Sequence, residues 1–236
     1  MNGSVFFEID GSGLPLVLTH GFGDASSTWD ALWPGLVRRH RVLRWDLPGH
    51  GRSHRSEDPA AYSREVAVDH LDELIRRIGG EVVLIGHSLG GYLSLCRATT
   101  RRAGVRGLVL LSSGPGYRNP DARERWNRKV HRVADRFSLP PAAARLVEQH
   151  DDVVISALAG VRVPVLLLCG ERDRAYHAGM EFLEARLADA RLHFVPDAGH
   201  HPHVSHADDV HARIEAFLAG LAPTGAALRR PGSSGA

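Results

Sequence analysis

Val82-Val83-Leu84-Ile85-Gly86-His87-Ser88-Leu89-Gly90-Gly91 carries four aliphatic residues into a Gly-x-Ser-x-Gly turn, and an apolar helical pattern, Leu89–Arg101, leaves it. Strand, sharp turn and helix in that order form the setting in which a serine hydroxyl is lifted above the carboxyl end of a sheet. Gly86 and Gly90, two positions either side of Ser88, let strand and helix approach closely enough to make the turn, and Gly91 adds room where the helix meets its neighbour. Ser88 is therefore read as a nucleophile rather than as part of a structural Gly-rich loop.

Outward from this turn, short aliphatic runs alternate with amphipathic stretches. Val5–Ile9, Leu14–Thr19, Arg41–Trp45, Glu81–Ile85, Val105–Leu111, Val163–Cys169 and Arg191–Val195 read as strands. Several are continuously apolar, as strands covered on both faces of a parallel sheet are. Ser26–Arg39, Ser63–Ile78, Leu89–Arg101, Ala175–Leu187 and Asp208–Leu218 read as helices. The alternation predicts an α/β fold with a doubly wound, mostly parallel sheet. Tyr117 to Gly160 breaks the rhythm with two helical patterns, Asp121–Arg136 and Pro141–Leu158, separated by Pro140-Pro141. The expected organisation is a core over 1–116 and 161–222, a short helical lid over 117–160, and a disordered Gly/Ala/Ser/Pro-rich tail over 223–236.

A nucleophilic serine needs a base, a group that orients the base, and donors for the oxyanion. Asp173, just past the strand that ends at Cys169, is the expected acid, with Glu171 as competitor. Histidines crowd the exit of the last strand: His193, His200, His201, His203 and His206. His200 follows the turn Pro196-Asp197-Ala198-Gly199 and is the expected base, with His201 second. No ordered zinc spacing runs through the cluster, so no metal is expected. The oxyanion donors are expected to be the backbone N–H of Leu89, at a helix start, and of Phe22, between Gly21 and Gly23. Trp29, Tyr92, Arg118, Arg125 and Trp126 are candidates for the substrate pocket.

The 236 residues carry 29 basic and 27 acidic side chains, for a net charge of +2. Arg38-Arg39, Arg76-Arg77 and Arg101-Arg102 close helical stretches, where cations suit the helix dipole, and nothing resembles a nucleic-acid or membrane surface. Cys96 and Cys169 sit in apolar runs and read as buried thiols in a reducing compartment. No stretch is long and apolar enough to span a membrane and the N-terminus lacks a secretion signal, so a soluble cytoplasmic protein acting on a small molecule is expected, without a cofactor.

His20-Gly21-Phe22 with Trp29 downstream, Asp46-Leu47-Pro48-Gly49-His50-Gly51-Arg52-Ser53, Gly86–Gly91, Gly170–Asp173 and Ala198-Gly199-His200 together resemble the α/β-hydrolase family, in particular its small lidded esterase, haloperoxidase-like and meta-cleavage hydrolase branch. The resemblance implies the fold and a Ser88–Asp173–His200 triad in the family's chain order. The Asp46–Ser53 loop is expected to be structural. The resemblance does not imply a substrate. Carbon–carbon hydrolases of the branch carry Trp after the catalytic His, where this chain has His201, although His206-Ala207-Asp208-Asp209 is similar to that branch. A serine at the turn argues against epoxide hydrolases and haloalkane dehalogenases, which use Asp there. The expected reaction is carboxylesterase-like hydrolysis of a small or medium acyl substrate. Carbon–carbon hydrolysis and a non-catalytic ligand-binding homologue are the alternatives.

Overall fold

The computed structural model describes residues 4–134 and 136–221; the tail expected over 223–236 lies outside them. Seven strands form one sheet in the order β1-β3-β2-β4-β5-β6-β7. They are β1 (Phe7–Asp10), β2 (Leu14–Thr19), β3 (His40–Trp45), β4 (Val82–His87), β5 (Val105–Leu111), β6 (Val165–Gly170) and β7 (Ala190–Val195). Only β1 runs antiparallel, against β3; every other pairing is parallel. Eight helices accompany the strands among the described residues: α1 (Trp33–Val37), α2 (Arg64–Ile78), α3 (Leu89–Thr100), α4 (Pro120–Ala134), α5 (Val153–Ser156), α6 (Arg174–Arg186), α7 (Pro202–Ser205) and α8 (Ala207–Gly220).

Strand side chains alternate between faces, which explains why the central strands are apolar throughout. Val17, Val82, Leu84, Leu108, Leu110 and Leu167 face one way, into a core closed by Leu71 and Leu74 of α2, Leu93 of α3 and Met180 and Leu183 of α6. Leu16, Leu18, Val83, Ile85, Val109, Leu111 and Leu168 face the other way, against Leu36 of α1 and Val210, Ile214 and Leu218 of α8. Burying a side chain of this size stabilises the fold by about 1.5–3 kcal/mol. Cys96 and Cys169 are buried free thiols in the first core. Burial pushes the Cys169 thiol up to about 12.

Local chemistry sets the helix limits. Ser63 caps α2 by accepting the Val66 N–H at 3.1 Å, and Gly79, at φ +76°, ends it. The single helix expected over Ser26–Arg39 is instead a 3-10 turn at Ser26–Trp29 followed by the short α1, which begins Trp33-Pro34. The second helical pattern of the insertion, Pro141–Leu158, is likewise broken into a 3-10 turn at Pro141–Leu146, α5, and a 3-10 turn at Leu158–Gly160. Between β5 and β6 the described residues form no strand, and α4 is the one long helix there.

Candidate active site

Ser88 sits between β4 and α3 with φ +50°, a left-handed conformation that is strained for a side-chain-bearing residue and costs on the order of 1–3 kcal/mol. Its neighbours make room for that turn. A Cβ on Gly86 would lie 2.4 Å from the Gly90 carbonyl oxygen, one on Gly90 would lie 2.1 Å from the Thr19 carbonyl oxygen, and one on Gly91 would lie 2.7 Å from the Ser113 hydroxyl. The elbow is thus pressed against the end of β2, where the His20–Asp24 loop begins. Its backbone is pinned by the Ser88 N–H donating to Leu111 at 2.9 Å and by the Ser113 hydroxyl donating to the Ser88 carbonyl at 2.8 Å. Ser112 and Asp197 also hold positive φ, at +45° and +60°. One ends β5 and the other lies in the turn that delivers His200, so backbone strain gathers at the sheet's carboxyl edge.

Asp173 and His200 meet at that edge. The His200 Nδ1–H donates to Asp173 Oδ2 at 2.8 Å. Burial pushes the Asp173 carboxyl up, but the hydrogen bond and charge of His200 outweigh it, and the group titrates below its usual range. Glu171 instead accepts the Asp197 N–H at 3.1 Å and serves the turn. Tyr176, on α6, stacks against the His200 ring with centroids 4.6 Å apart, and its hydroxyl faces the Ser88 side chain. Ser88 and His200 line the same cavity, and among the described residues no hydrogen bond joins the serine hydroxyl to the imidazole.

The His20–Asp24 loop is held from below. His20 Nε2 accepts the Leu47 N–H at 3.0 Å, which leaves Nδ1–H to donate to the Gly21 carbonyl at 2.7 Å. Asp46 accepts the Ser26 N–H at 2.6 Å and the Arg52 N–H at 2.8 Å, tying the Asp46–Ser53 loop to the same region. The Phe22 and Leu89 N–H groups donate to no protein acceptor among the described residues, and both residues border the cavity. Gly23, at φ +85°, passes directly beneath the Phe137 ring of the insertion.

The cavity has a volume of about 720 Å³, within the usual range for small-molecule sites. Tyr92, Trp126, Val130, Phe137, Val147 and Tyr176 make most of its apolar wall. Arg125 and Lys129, one turn apart on α4, border it from the insertion, and the buried Gln149 Oε1 has no protein partner. Arg64 joins the core to the end of the insertion through a two-pronged pair with Asp151, at 2.8 and 2.7 Å, and also donates to the Tyr92 hydroxyl at 3.3 Å.

Two residues expected in the pocket lie elsewhere. Trp29 is fully buried on the opposite face of the sheet, where the 3-10 turn Ser26–Trp29 turns its indole into the second core and against the His203 ring at 4.6 Å. Arg118 is exposed before α4 and does not border the cavity, its carbonyl accepting from Arg123 at 2.7 Å. Tyr92, Arg125 and Trp126 do border it. Tyr176, Phe137, Lys129 and Gln149 carry no motif, and only their position in space brings them to the cavity. The same holds for a group beside the site. His87 Nε2–H donates to the His200 carbonyl at 2.8 Å, while Asp24 Oδ2 lies 3.4 Å from His87 Nδ1 and 3.2 Å from His201 Nε2. Burial, with the charges of His200 and His201, holds the His87 imidazole down to about 4, whereas the Asp24 carboxylate raises His201.

A strained serine elbow, a paired acid and histidine, and a cavity at the carboxyl edge of a mostly parallel sheet belong to the α/β hydrolases. The family model described as the alpha/beta hydrolase family matches residues 16–213, and the chain belongs to that family. It is 29% identical to a pimeloyl-[acyl-carrier protein] methyl ester esterase of Xanthomonas campestris pv. campestris, over 91% of this chain and 98% of the relative. It is 27% identical to a 2-succinyl-6-hydroxy-2,4-cyclohexadiene-1-carboxylate synthase of Escherichia coli, over 87% and 94%. Among solved structures, a thermophilic esterase from Thermogutta terrifontis superposes with a TM-score of 0.80 at 27% identity, covering 92% of this chain and 93% of that one.

Proposed function

We propose that the protein hydrolyses an ester-like bond of a small or medium acyl substrate through an acyl-enzyme formed on Ser88. The observation that carries the reading is His200, held by Asp173 at 2.8 Å and bordering the same cavity as Ser88 in its positive-φ turn. His200 Nε2 takes the serine proton as the hydroxyl attacks the carbonyl. Asp173 keeps the Nδ1–H tautomer in place and stabilises the imidazolium that forms. The Phe22 and Leu89 N–H groups receive the charge on the tetrahedral oxygen, with Leu89 at the positive end of α3. His200 passes its proton to the leaving alcohol, then activates the water that releases the acid. The serine–histidine contact tightens when substrate enters, as it commonly does in hydrolases whose free form shows it loose.

The cavity suits a medium acyl chain along its aromatic wall. Arg125 and Lys129 offer two cations to a polar or anionic group at the far end, and Gln149 Oε1 offers an acceptor. The Xanthomonas and Thermogutta relatives are esterases, which supports ester chemistry. In this reading the insertion over α4 acts as the lid. The test is labelling by a fluorophosphonate probe, which should be complete for the wild type and abolished in Ser88→Ala; persistent labelling of the variant sinks the assignment.

A further inference from the structure

Beside the candidate triad, one buried pairing does not close on protein atoms alone. A carbonyl oxygen only accepts, so the 2.8 Å contact of His87 Nε2 with the His200 carbonyl places the proton on Nε2. The lone pair of Nδ1 then faces Asp24 Oδ2, itself an acceptor, at 3.4 Å. His87 is buried and its Nδ1 has no hydrogen-bond partner. His201 Nε2 stands on the other side of the same carboxylate oxygen, at 3.2 Å, and the three donor atoms lie within 4.8 Å of one another.

Both separations from the Asp24 oxygen suit a coordination sphere, and the remaining pair, His87 Nδ1 and His201 Nε2, lies within 4.8 Å and would close on the ion. Bonds of ~2.0–2.1 Å in a tetrahedron place neighbouring donor atoms ~3.3 Å apart, and the two measured separations fall either side of that value. Gly21 keeps a side chain away from these donors, since a Cβ there would lie 2.7 Å from His87 Nδ1 and 3.1 Å from Asp24 Oδ2. Two imidazoles and one carboxylate are the ligands a borderline divalent ion takes. All three residues border the cavity. We propose that Asp24, His87 and His201 form a binding site for a divalent transition-metal ion of the Zn2+ class, with one coordination position open to the cavity. The ion takes the place of the proton between His201 and Asp24, which is released to solvent. It ties the His20–Asp24 loop to the residue before Ser88 and to the residue after His200. Positions 24, 87 and 201 share no motif in the sequence, which is why zinc-type spacing misses the group.

The test is a titration of the full-length protein, first stripped with chelator and dialysed, with CoCl2 while the visible d–d bands are recorded. Saturation near one equivalent with the intensity of a four-coordinate ion, and displacement by ZnCl2, are expected. Asp24→Asn and His201→Gln should each weaken binding by at least ~10-fold. His201 is exposed enough that its variant should fold, and a circular dichroism spectrum would check both. His150→Gln, in the exposed His131–Glu148–His150 group, should leave the titration unchanged. Absence of saturable binding, binding indifferent to both Asp24→Asn and His201→Gln, or loss of binding in His150→Gln would each overturn the site. The readout is binding, so it stands or falls independently of acyl transfer on Ser88.

Discussion

Replacing Asp173 with Asn separates orientation of the histidine from every other contribution to the site. The carboxylate accepts the Nδ1–H of His200 at 2.8 Å, and its side chain is only 9% exposed. A charge-assisted hydrogen bond of this kind contributes about 1.5–3 kcal/mol beyond water. The amide also removes the charge facing the imidazolium and can present its NH2 to Nδ1, which moves the ring proton to Nε2 and turns the base away from Ser88. The combined loss expected for a mis-set tautomer is ~10,000-fold in kcat, or about 5.4 kcal/mol at 1.36 kcal/mol per tenfold. KM should change little, because Asp173 does not border the cavity. The assay is hydrolysis of p-nitrophenyl butyrate under saturating conditions, with active-site titration to count folded enzyme. Glu171→Gln, made in parallel, should stay close to wild type, since Glu171 serves the turn at Asp197. An Asp173→Asn enzyme within tenfold of wild type, or a larger loss in Glu171→Gln, would refute the reasoning.

Gly90→Ala places a Cβ 2.1 Å from the Thr19 carbonyl oxygen, a backbone atom that cannot swing aside; a loss of at least ~1–3 kcal/mol and of fluorophosphonate labelling is expected, and a wild-type melting curve with full labelling would count against the packing of the elbow. Tyr176→Phe keeps the ring on His200 and should stay within a few-fold in kcat, whereas Tyr176→Ala frees the imidazole and should cost about 10- to 100-fold; equal rates for the two variants would deny the ring a positioning role. The Arg64 guanidinium holds the Asp151 carboxyl below its usual range. The pair's contribution is therefore present above the unfolded carboxylate pKa and is lost as pH falls through the lowered folded value. Because Asp151 is partly exposed, Asp151→Asn should lower the melting temperature by only ~2–4 °C at pH 7, with the gap closing in acid; a gap that persists at the lowest pH would show that the pair's charge is not its cause.

The sheet was legible because its information is local. A four-residue, β-branched apolar run such as Val82–Ile85, stopped by Gly86, reads as a strand covered on both faces, and the glycines at 86 and 90 describe a close approach that the backbone then makes. The ends of helices were legible wherever a cap named them, as Ser63 and Gly79 do for α2. Periodicity failed in two segments, one with Pro34 inside it and one whose apolar spacing is split by the polar run Glu148-Gln149-His150-Asp151-Asp152. Ser26–Arg39 and Pro141–Leu158 both carry helical spacing, yet the observed turns are short and partly 3-10. Trp29 misled for a different reason. An aromatic near the His20–Asp24 loop in sequence points through to the far face of the sheet, and one residue's rotation decides between pocket and core. Tyr176 and the Asp24–His87–His201 group were beyond reach, because residues on separate loops and helices acquire a joint meaning only once folding has brought them together.

If the insertion is the lid and the Phe22 amide an oxyanion donor, as proposed, the contact of Phe137 with Gly23 couples the cover of the cavity to the group that receives its charge. The phenyl ring lies where a side chain at position 23 would be, and it meets the Phe22 ring edge-on at 5.6 Å. A substrate that keeps Phe137 raised therefore strips support from the amide next to it. Overlong acyl chains should bind well and turn over slowly, so that selectivity for length is written in kcat and hardly at all in KM. The molecule would then measure its substrate by whether the cover can come to rest.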